Sequence, residues 1–156
     1  MKHIFIINPA AGKKDSRQRV YTMAEALKKN HNLDVECMLT KSRGHATALT
    51  RAIAETGDYV RFYACGGDGT LNETVNGVMR IPREYRPLVS YLPGGSTNDF
   101  AASLNISSNP AEAAASAMRM KPRSLDVGKF GERNFVYVAS FGAFTKTTYT
   151  VQQDIK

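Results

Sequence analysis

A carboxylate set among glycines, Gly66-Gly67-Asp68-Gly69-Thr70-Leu71-Asn72-Glu73, is the stretch of this chain whose residue types could do chemistry. Glycines let backbone N–H groups approach a ligand with no Cβ in the way, and a helix N-terminus following such a turn suits a phosphate. Asp68 beside a phosphate would be repelled unless a divalent cation or a proton lay between them, which points to a nucleotide with Mg²⁺. A second stretch, Pro93-Gly94-Gly95-Ser96-Thr97-Asn98-Asp99-Phe100, again sets glycines beside hydroxyls, an amide and a carboxylate. A third, Asn8-Pro9-Ala10-Ala11-Gly12, is either a plain turn or another place where backbone meets a ligand. Gly-Gly-Asp-Gly is also good turn chemistry in its own right. No Lys-Ser/Thr pair follows it, so it is not a Walker loop, and Asn72 stands where a dinucleotide fingerprint would have its third glycine.

These stretches need elements to hold them. Ile4 to Ile7 is a short apolar run that predicts a strand buried on both faces, ended by Asn8-Pro9. Ser16 offers an N-cap to a helix carrying Val20, Met23, Ala24 and Leu27, with Lys28-Lys29 near its end. Asn32 to Leu39 alternates like a partly exposed strand and ends at Thr40. Gly44 to Glu55 predicts a helix with Ala48, Leu49, Ala52 and Ile53 on one face, ended by Gly57. A strand over Tyr59 to Ala64 then runs through the first glycine loop into a helix bearing Leu71, Val75, Val78 and Met79. Pro82 and Pro87 bracket a basic connection, Leu88 to Leu92 is a further strand, and an Ala-rich helix follows Asn109-Pro110 as far as Met120. This alternation predicts an α/β fold, a parallel sheet with helices on both faces, in which ligands bind beyond the carboxyl ends of the strands. The loops after Ile7, Leu39, Ala64 and Leu92 all fall there and would converge on one site.

After Pro122 the pattern changes. Ser124 to Phe130 and Asn134 to Phe141 predict two strands joined through Gly131-Glu132-Arg133 with no helix between, an antiparallel hairpin. The polar segment Thr145 to Lys156 closes no recognisable element, so residues 1–122 are expected to form the α/β domain and 123–156 the truncated start of a second, β-rich one. The uncovered strands would invite pairing with another chain, a homodimer for instance.

At 156 residues with 22% charged side chains the composition is that of a globular domain rather than a disordered one. The formal net charge of +7 is spread over Lys13-Lys14, Lys28-Lys29, Arg80 to Arg86 and Lys121 to Arg123 with no aromatic-interleaved stripe, which argues against nucleic acid and leaves an anionic membrane surface open. No apolar run approaches membrane-spanning length and the N-terminus has no signal-peptide layout, so the expected location is cytoplasmic. Cys37 and Cys65 lack metal or redox spacing and are expected to line strands as small apolar residues. His3, His31 and His45 form no ligand cluster and are expected at surfaces or element ends.

Gly66 to Glu73, then Leu92-Pro93-Gly94-Gly95-Ser96-Thr97-Asn98-Asp99-Phe100-Ala101, then Leu125-Asp126-Val127-Gly128, with Asn8-Pro9-x-x-Gly12 upstream, resemble in that order the diacylglycerol kinase catalytic domain family, including the YegS-like lipid kinases and, more distantly, sphingosine kinases. The resemblance implies an ATP- and Mg²⁺-dependent kinase that phosphorylates a lipid hydroxyl, such as that of diacylglycerol, as a protein peripheral to the membrane. It implies an N-terminal nucleotide-binding domain facing a C-terminal β-sandwich, of which 123–156 would be the first strands. Carried over by motif, Asn8, Pro9, Ala10, Ala11 and Gly12 together with Gly66, Gly67, Asp68, Gly69, Thr70, Leu71 and Asn72 would contact the ATP phosphates and ribose. Glu73 would support the loop. Thr40, Ser96 and Thr97 would line the same site with hydroxyls, Asp68 would organise Mg²⁺, and Asn98 and Asp99 would hold the loops together. The family often has Thr where Ser96 stands, which keeps the hydroxyl. Its general base and second-domain metal ligands would lie beyond Lys156, so this chain alone would be weakly active or inactive. Two other readings share the glycine loop: an NAD kinase, against which the form of Pro93 to Phe100 speaks, and a non-catalytic nucleotide-binding module, against which Asp68, Asn98 and Asp99 speak.

Overall fold

Ile4 and Ile6 pack into one layer of core and Phe5 and Ile7 into the other, so the first strand is covered on both sides. In the computed structural model, which describes residues 1–12 and 14–139, this strand, β1 (Lys2–Ile7), lies near the middle of a four-stranded sheet. Its companions are β2 (Val35–Leu39), β3 (Val60–Gly66) and β4 (Leu88–Pro93), in the order β2-β1-β3-β4 and all parallel. Ile7 faces Leu39 on one side and Cys65 on the other, and Gly66 faces Pro93. The carboxyl ends of the strands are therefore level.

Parallel strands need crossovers, and helices supply them on both faces. Helices α1 (Lys14–His31) and α5 (Pro110–Arg119) bury Val20, Met23, Ala24, Ala113 and Ala114 against Phe5, Tyr63 and Leu92. On the opposite face α2 (His45–Ala54) and α3 (Asp68–Val78) bury Ala46, Ala54 and Val78 against Ile4, Ile6 and Phe62. The alanines of α5 allow the close packing that its sequence requires. Helices α2 and α3 approach at Gly77, where a Cβ would meet Thr50 Oγ1 and stand 2.8 Å from the Thr47 carbonyl. The Thr50 hydroxyl is fully buried there and donates to the Ala46 carbonyl at 2.7 Å.

Two sequence expectations change. Helix α1 begins at Lys14, so Ser16 lies within the helix rather than at its cap. His3 is a buried core residue, not a surface one: its Nδ1 hydrogen-bonds the Tyr63 hydroxyl at 2.9 Å, and the Tyr63 ring stacks on Phe5. The partner across the sheet is invisible in the local sequence around His3. His45 opens α2 and accepts the Lys41 N–H, while the His31 side chain lies outside the described residues. Burial and the neighbouring Arg61 hold His3 below its ordinary value of 6.5. Arg61 itself is buried on the otherwise apolar β3 because its guanidinium donates to the Ala117 carbonyl in the last turn of α5 at 2.5 Å, where the helix end is negative. Cys65 is buried on β3 and Cys37 half-buried on β2, both free thiols.

Two short elements escape the sequence pattern, a 3₁₀ turn at Arg83–Tyr85 and helix α4 (Asp99–Ser103). The hairpin after Pro122 is present but shorter than its sequence suggests, with β5 (Gly128–Phe130) antiparallel to β6 (Arg133–Phe135). Residues 124–127 are outside any strand, since the pairing reaches no further than Gly128 opposite Phe135. Ser140, Phe141 and the segment from Thr145 to Lys156 lie outside the described residues. The hairpin is joined to α3 by a side-chain clamp: Asn76 Nδ2 donates to the Asn134 carbonyl at 2.9 Å, and the Asn134 N–H donates to Asn76 Oδ1 at 3.0 Å.

Candidate functional site

The chain leaves β1 toward β2 and leaves β3 toward β4, so the strand order reverses between β1 and β3. Their carboxyl ends mark the switch point at which open α/β sheets bind ligands. Two of the sequence-predicted loops begin there and the third begins beside them on β4. A small cleft between them is lined by Asn8, Ala11, Gly66, Pro93 and Gly94, with Pro110 of α5 at its edge and Cys65 on its floor. Complete burial pushes the Cys65 thiol well above its usual range, which keeps that floor neutral.

The first loop is folded by Asn8. Its Oδ1 accepts the Ala10 N–H at 2.9 Å and its carbonyl the Ala11 N–H at 3.2 Å, and Gly12 closes the turn at φ 65°. Its Nδ2 donates to Thr70 Oγ1 at 3.1 Å, tying this loop to the start of α3. Thr70 fills the space above Gly66, where an added Cβ would stand 2.9 Å from Thr70 Cβ and 3.2 Å from Asn8 Cβ. Thr40, at the end of β2, is buried next to β1 and donates its N–H to the Ile7 carbonyl at 2.9 Å.

The two glycine loops touch each other through their backbones. The Gly94 N–H donates to the Gly66 carbonyl at 2.7 Å, and a Cβ on Gly95 would stand 2.6 Å from Gly67 Cα. Gly66 and Gly95 are therefore demanded by packing. Gly69 is not: an added Cβ there would meet nothing within 4 Å. Leu71 is buried in the core under Tyr91 and Ala101, and Asn72 Oδ1 is a buried acceptor with no partner among the described residues. Ser96 and Thr97 are exposed on the second loop.

Asp68 sits in the first turn of α3 with one carboxylate oxygen engaged by β4 and the other by the second loop that follows it. The Tyr91 hydroxyl donates to Oδ1 at 3.1 Å and the Asp99 N–H to Oδ2 at 2.9 Å. Asn98, at φ 55°, folds the second loop by accepting the Gly95 N–H at 2.9 Å and donating to the Gly95 carbonyl at 2.8 Å. Tyr91 was not among the sequence candidates. Its signal was a phenol at a strand position expected to be buried, whose polar tip demands a partner. Burial, followed by the charge and hydrogen bond of Asp68, pushes its hydroxyl well above the ordinary value of 10.0, so it stays a donor.

Glu73 faces the other way. Its Oε1 accepts the Gly44 N–H at 2.8 Å and its Oε2 the Ala46 N–H at 3.3 Å, so it caps the N-terminus of α2, whose own cap residue Gly44 has no side chain to offer. Carboxylates of α3 thus cap α2 and α4, while α3 itself starts at Gly67 with no side-chain cap. The Thr70 N–H turns back to the Gly67 carbonyl at 2.9 Å, while the N–H groups of Asp68 and Gly69, first in α3, have no intrahelical acceptor and open at the switch point.

Among the described residues no three His, Cys, Asp or Glu side chains gather to hold a metal ion. Asp68 alone fits Mg²⁺ in one way only. With one lone-pair direction left on each oxygen it can take a cation or its water, provided phosphate oxygens complete the shell, which is the usual habit of Mg²⁺. Among the described residues no helix is long and apolar enough to cross a membrane.

Comparison with known proteins gives a consistent match. The diacylglycerol kinase catalytic domain family matches residues 2–130. A YegS-like lipid kinase from Chromohalobacter salexigens is 38% identical over 140 residues, covering 90% of this chain and 43% of the relative. A diacylglycerol kinase from Bacillus subtilis is 32% identical, covering 97% of this chain and 49% of the relative. The crystal structure of a diacylglycerol kinase from Bacillus anthracis superposes with a TM-score of 0.70 at 32% identity, over 86% of this chain and 45% of that one. The chain spans about half the length of the curated relatives it matches.

Proposed function

The chain belongs to the diacylglycerol kinase catalytic domain family, and from that premise we propose that it forms the ATP-binding part of a lipid kinase, which transfers the γ-phosphoryl group to a lipid hydroxyl such as that of diacylglycerol. The observation that carries this reading is the N-terminus of α3, left without a side-chain cap at the β1/β3 switch point while α2 and α4 are both capped from α3. Such a terminus offers unpaired N–H groups and a partial positive charge to a phosphate.

In this reading the backbone of Gly67 to Thr70 receives phosphate oxygens, and Asn8 to Gly12 covers them from the β1 side. Thr40, Ser96 and Thr97 add hydroxyls around the mouth of the site. Mg²⁺, when bound with the nucleotide, would neutralise phosphate charge and favour in-line transfer. Asp68 orients the cation's shell, Asn98 and Asp99 hold the second loop against the first, and Glu73 fixes the loop before α2. Residues 1–122 act as the nucleotide-binding unit and 123–156 begin the next one. The base that takes the lipid hydroxyl proton, the lipid pocket and contact with the membrane surface are assigned to the part of the relatives' length that this chain does not match.

Calorimetric titration with ATP, with and without Mg²⁺, tests the reading on this chain and on Asp68→Ala. Saturable binding strengthened by Mg²⁺ in the wild type, with that gain lost in the variant, is expected. A titration without heat on a chain that still unfolds cooperatively would contradict it. Transfer of labelled phosphate to diacylglycerol rather than to NAD, offered side by side, separates a lipid kinase from an NAD kinase.

A further inference from the structure

Asp68 carries the same residue type as any short turn aspartate, yet its carboxylate is held more tightly than a turn requires. Tyr91 is buried on β4 with its ring against Phe100 and its hydroxyl directed to the junction of the two glycine loops. The hydroxyl stands 3.1 Å from Asp68 Oδ1 and 3.1 Å from Asn98 Oδ1, which are both acceptors. The Asn98 amide cannot be turned to offer its NH₂ instead, because Gly95 fixes both its ends, one by an N–H and one by a carbonyl. One hydroxyl proton therefore has two acceptors, and the charged one is the stronger. Asn98 Oδ1 loses nothing by this, since it keeps the Gly95 N–H.

We propose that Tyr91 is a positioning residue for the nucleotide-bound cation: its hydroxyl sets the rotation of the Asp68 carboxylate, so that the free lone pairs of Asp68 face the phosphate site. The proposal rests on the functional reading above and deepens it. Removing the hydroxyl leaves the ring on Phe100 and the Gly95–Asn98 turn intact. Asp68 is then held by the Asp99 N–H alone and can rotate about that bond. Partners that orient a metal-organising carboxylate in this way are worth about 10- to 100-fold in metal affinity.

The test is ATP binding in chelator and across a Mg²⁺ series, for the wild type, Tyr91→Phe, Asp68→Asn and the double variant, with thermal unfolding of each. Tyr91→Phe should bind ATP in chelator as the wild type does and lose about tenfold of the gain that Mg²⁺ provides. In the Asp68→Asn background the same substitution should change nothing further, because its effect passes through the charged carboxylate. An unchanged Mg²⁺ gain in Tyr91→Phe would overturn the proposal. So would an equal loss with and without Mg²⁺, or a variant that no longer unfolds cooperatively, since either makes the hydroxyl a requirement of the fold. Failure of the functional reading shows separately, as a wild type whose ATP binding is absent or indifferent to Mg²⁺.

Discussion

Gly69→Ala separates what the fold needs from what a ligand needs. Gly66 and Gly95 cannot carry a Cβ without pushing Thr70 or Gly67 aside, so their loss would unsettle the loops and say nothing of binding. At Gly69 an added Cβ meets no atom within 4 Å, and the residue lies in the first turn of α3 without a left-handed φ. Alanine there should stabilise the chain, by up to ~1 kcal/mol from helix propensity, less at a first-turn position than in a helix interior. For a domain of this size that raises the melting temperature by no more than about 2–4 °C. The methyl group instead occupies the open space over the N-terminus of α3, where the phosphates are proposed to lie. Loss of close backbone approach should weaken ATP binding at least tenfold, about 1.4 kcal/mol. Paired thermal unfolding and calorimetry read both quantities on one protein. A variant that is more stable and binds ATP as well as the wild type would refute the ligand reading of Gly69. A variant that is less stable would refute the geometry from which the prediction is worked.

Gly77→Ala should do the opposite of Gly69→Ala. Its helix propensity gain of ~1 kcal/mol is outweighed by overpacking against Thr50 and the Thr47 carbonyl, at the upper end of a range of about 1–3 kcal/mol, for a net loss of up to about 2 kcal/mol by denaturant unfolding. Equal stability of variant and wild type would show that α2 and α3 separate at no cost. His3 is held neutral in the fold by burial and by Arg61, with the N-terminus adding to this and Asp34 opposing it, so its folded value lies below 6.5. The unfolded chain then binds the proton more readily, and the stability this contributes is present above pH 6.5 and is lost as pH falls through the folded value. Melting between about pH 7.5 and 5.5 should therefore fall more steeply for the wild type than for His3→Gln, and parallel curves would show that His3 is not the titrating group.

The sheet, its crossover helices and the three loops at its carboxyl end were legible because their signals are local. Ile4 to Ile7, and Val60 to Ala64 apart from Arg61, are short and apolar on both faces, as strands covered by helices must be, and the prolines and glycines that end them lie within a few residues. The ties that position the site are not local. Glu73 reaches Gly44 from 29 residues away and Asp68 reaches the Asp99 N–H from 31, so no pattern within either helix announces them. Helix α4 is five residues long, too short for an apolar period to show. His3 and Arg61 are buried on strands covered on both faces, where apolar side chains are expected, and only their long-range partners, Tyr63 and Ala117, explain them. The glycine loops themselves carried two meanings at once. Their composition suggested ligand contact, and the structure adds that Gly66 and Gly95 are also the surfaces on which the two loops meet.

The most direct test of the central claim is to follow backbone amide chemical shifts of the isotope-labelled chain while ATP and Mg²⁺ are added. The account predicts that the largest changes fall at Gly67 to Thr70, with smaller ones at Asn8 to Gly12 and at Gly94 to Asn98, and that removing Mg²⁺ reverses those nearest Asp68. Changes confined to another surface, such as the groove between α1 and α5 beside Met23 and Ala111, or none at all, would contradict it.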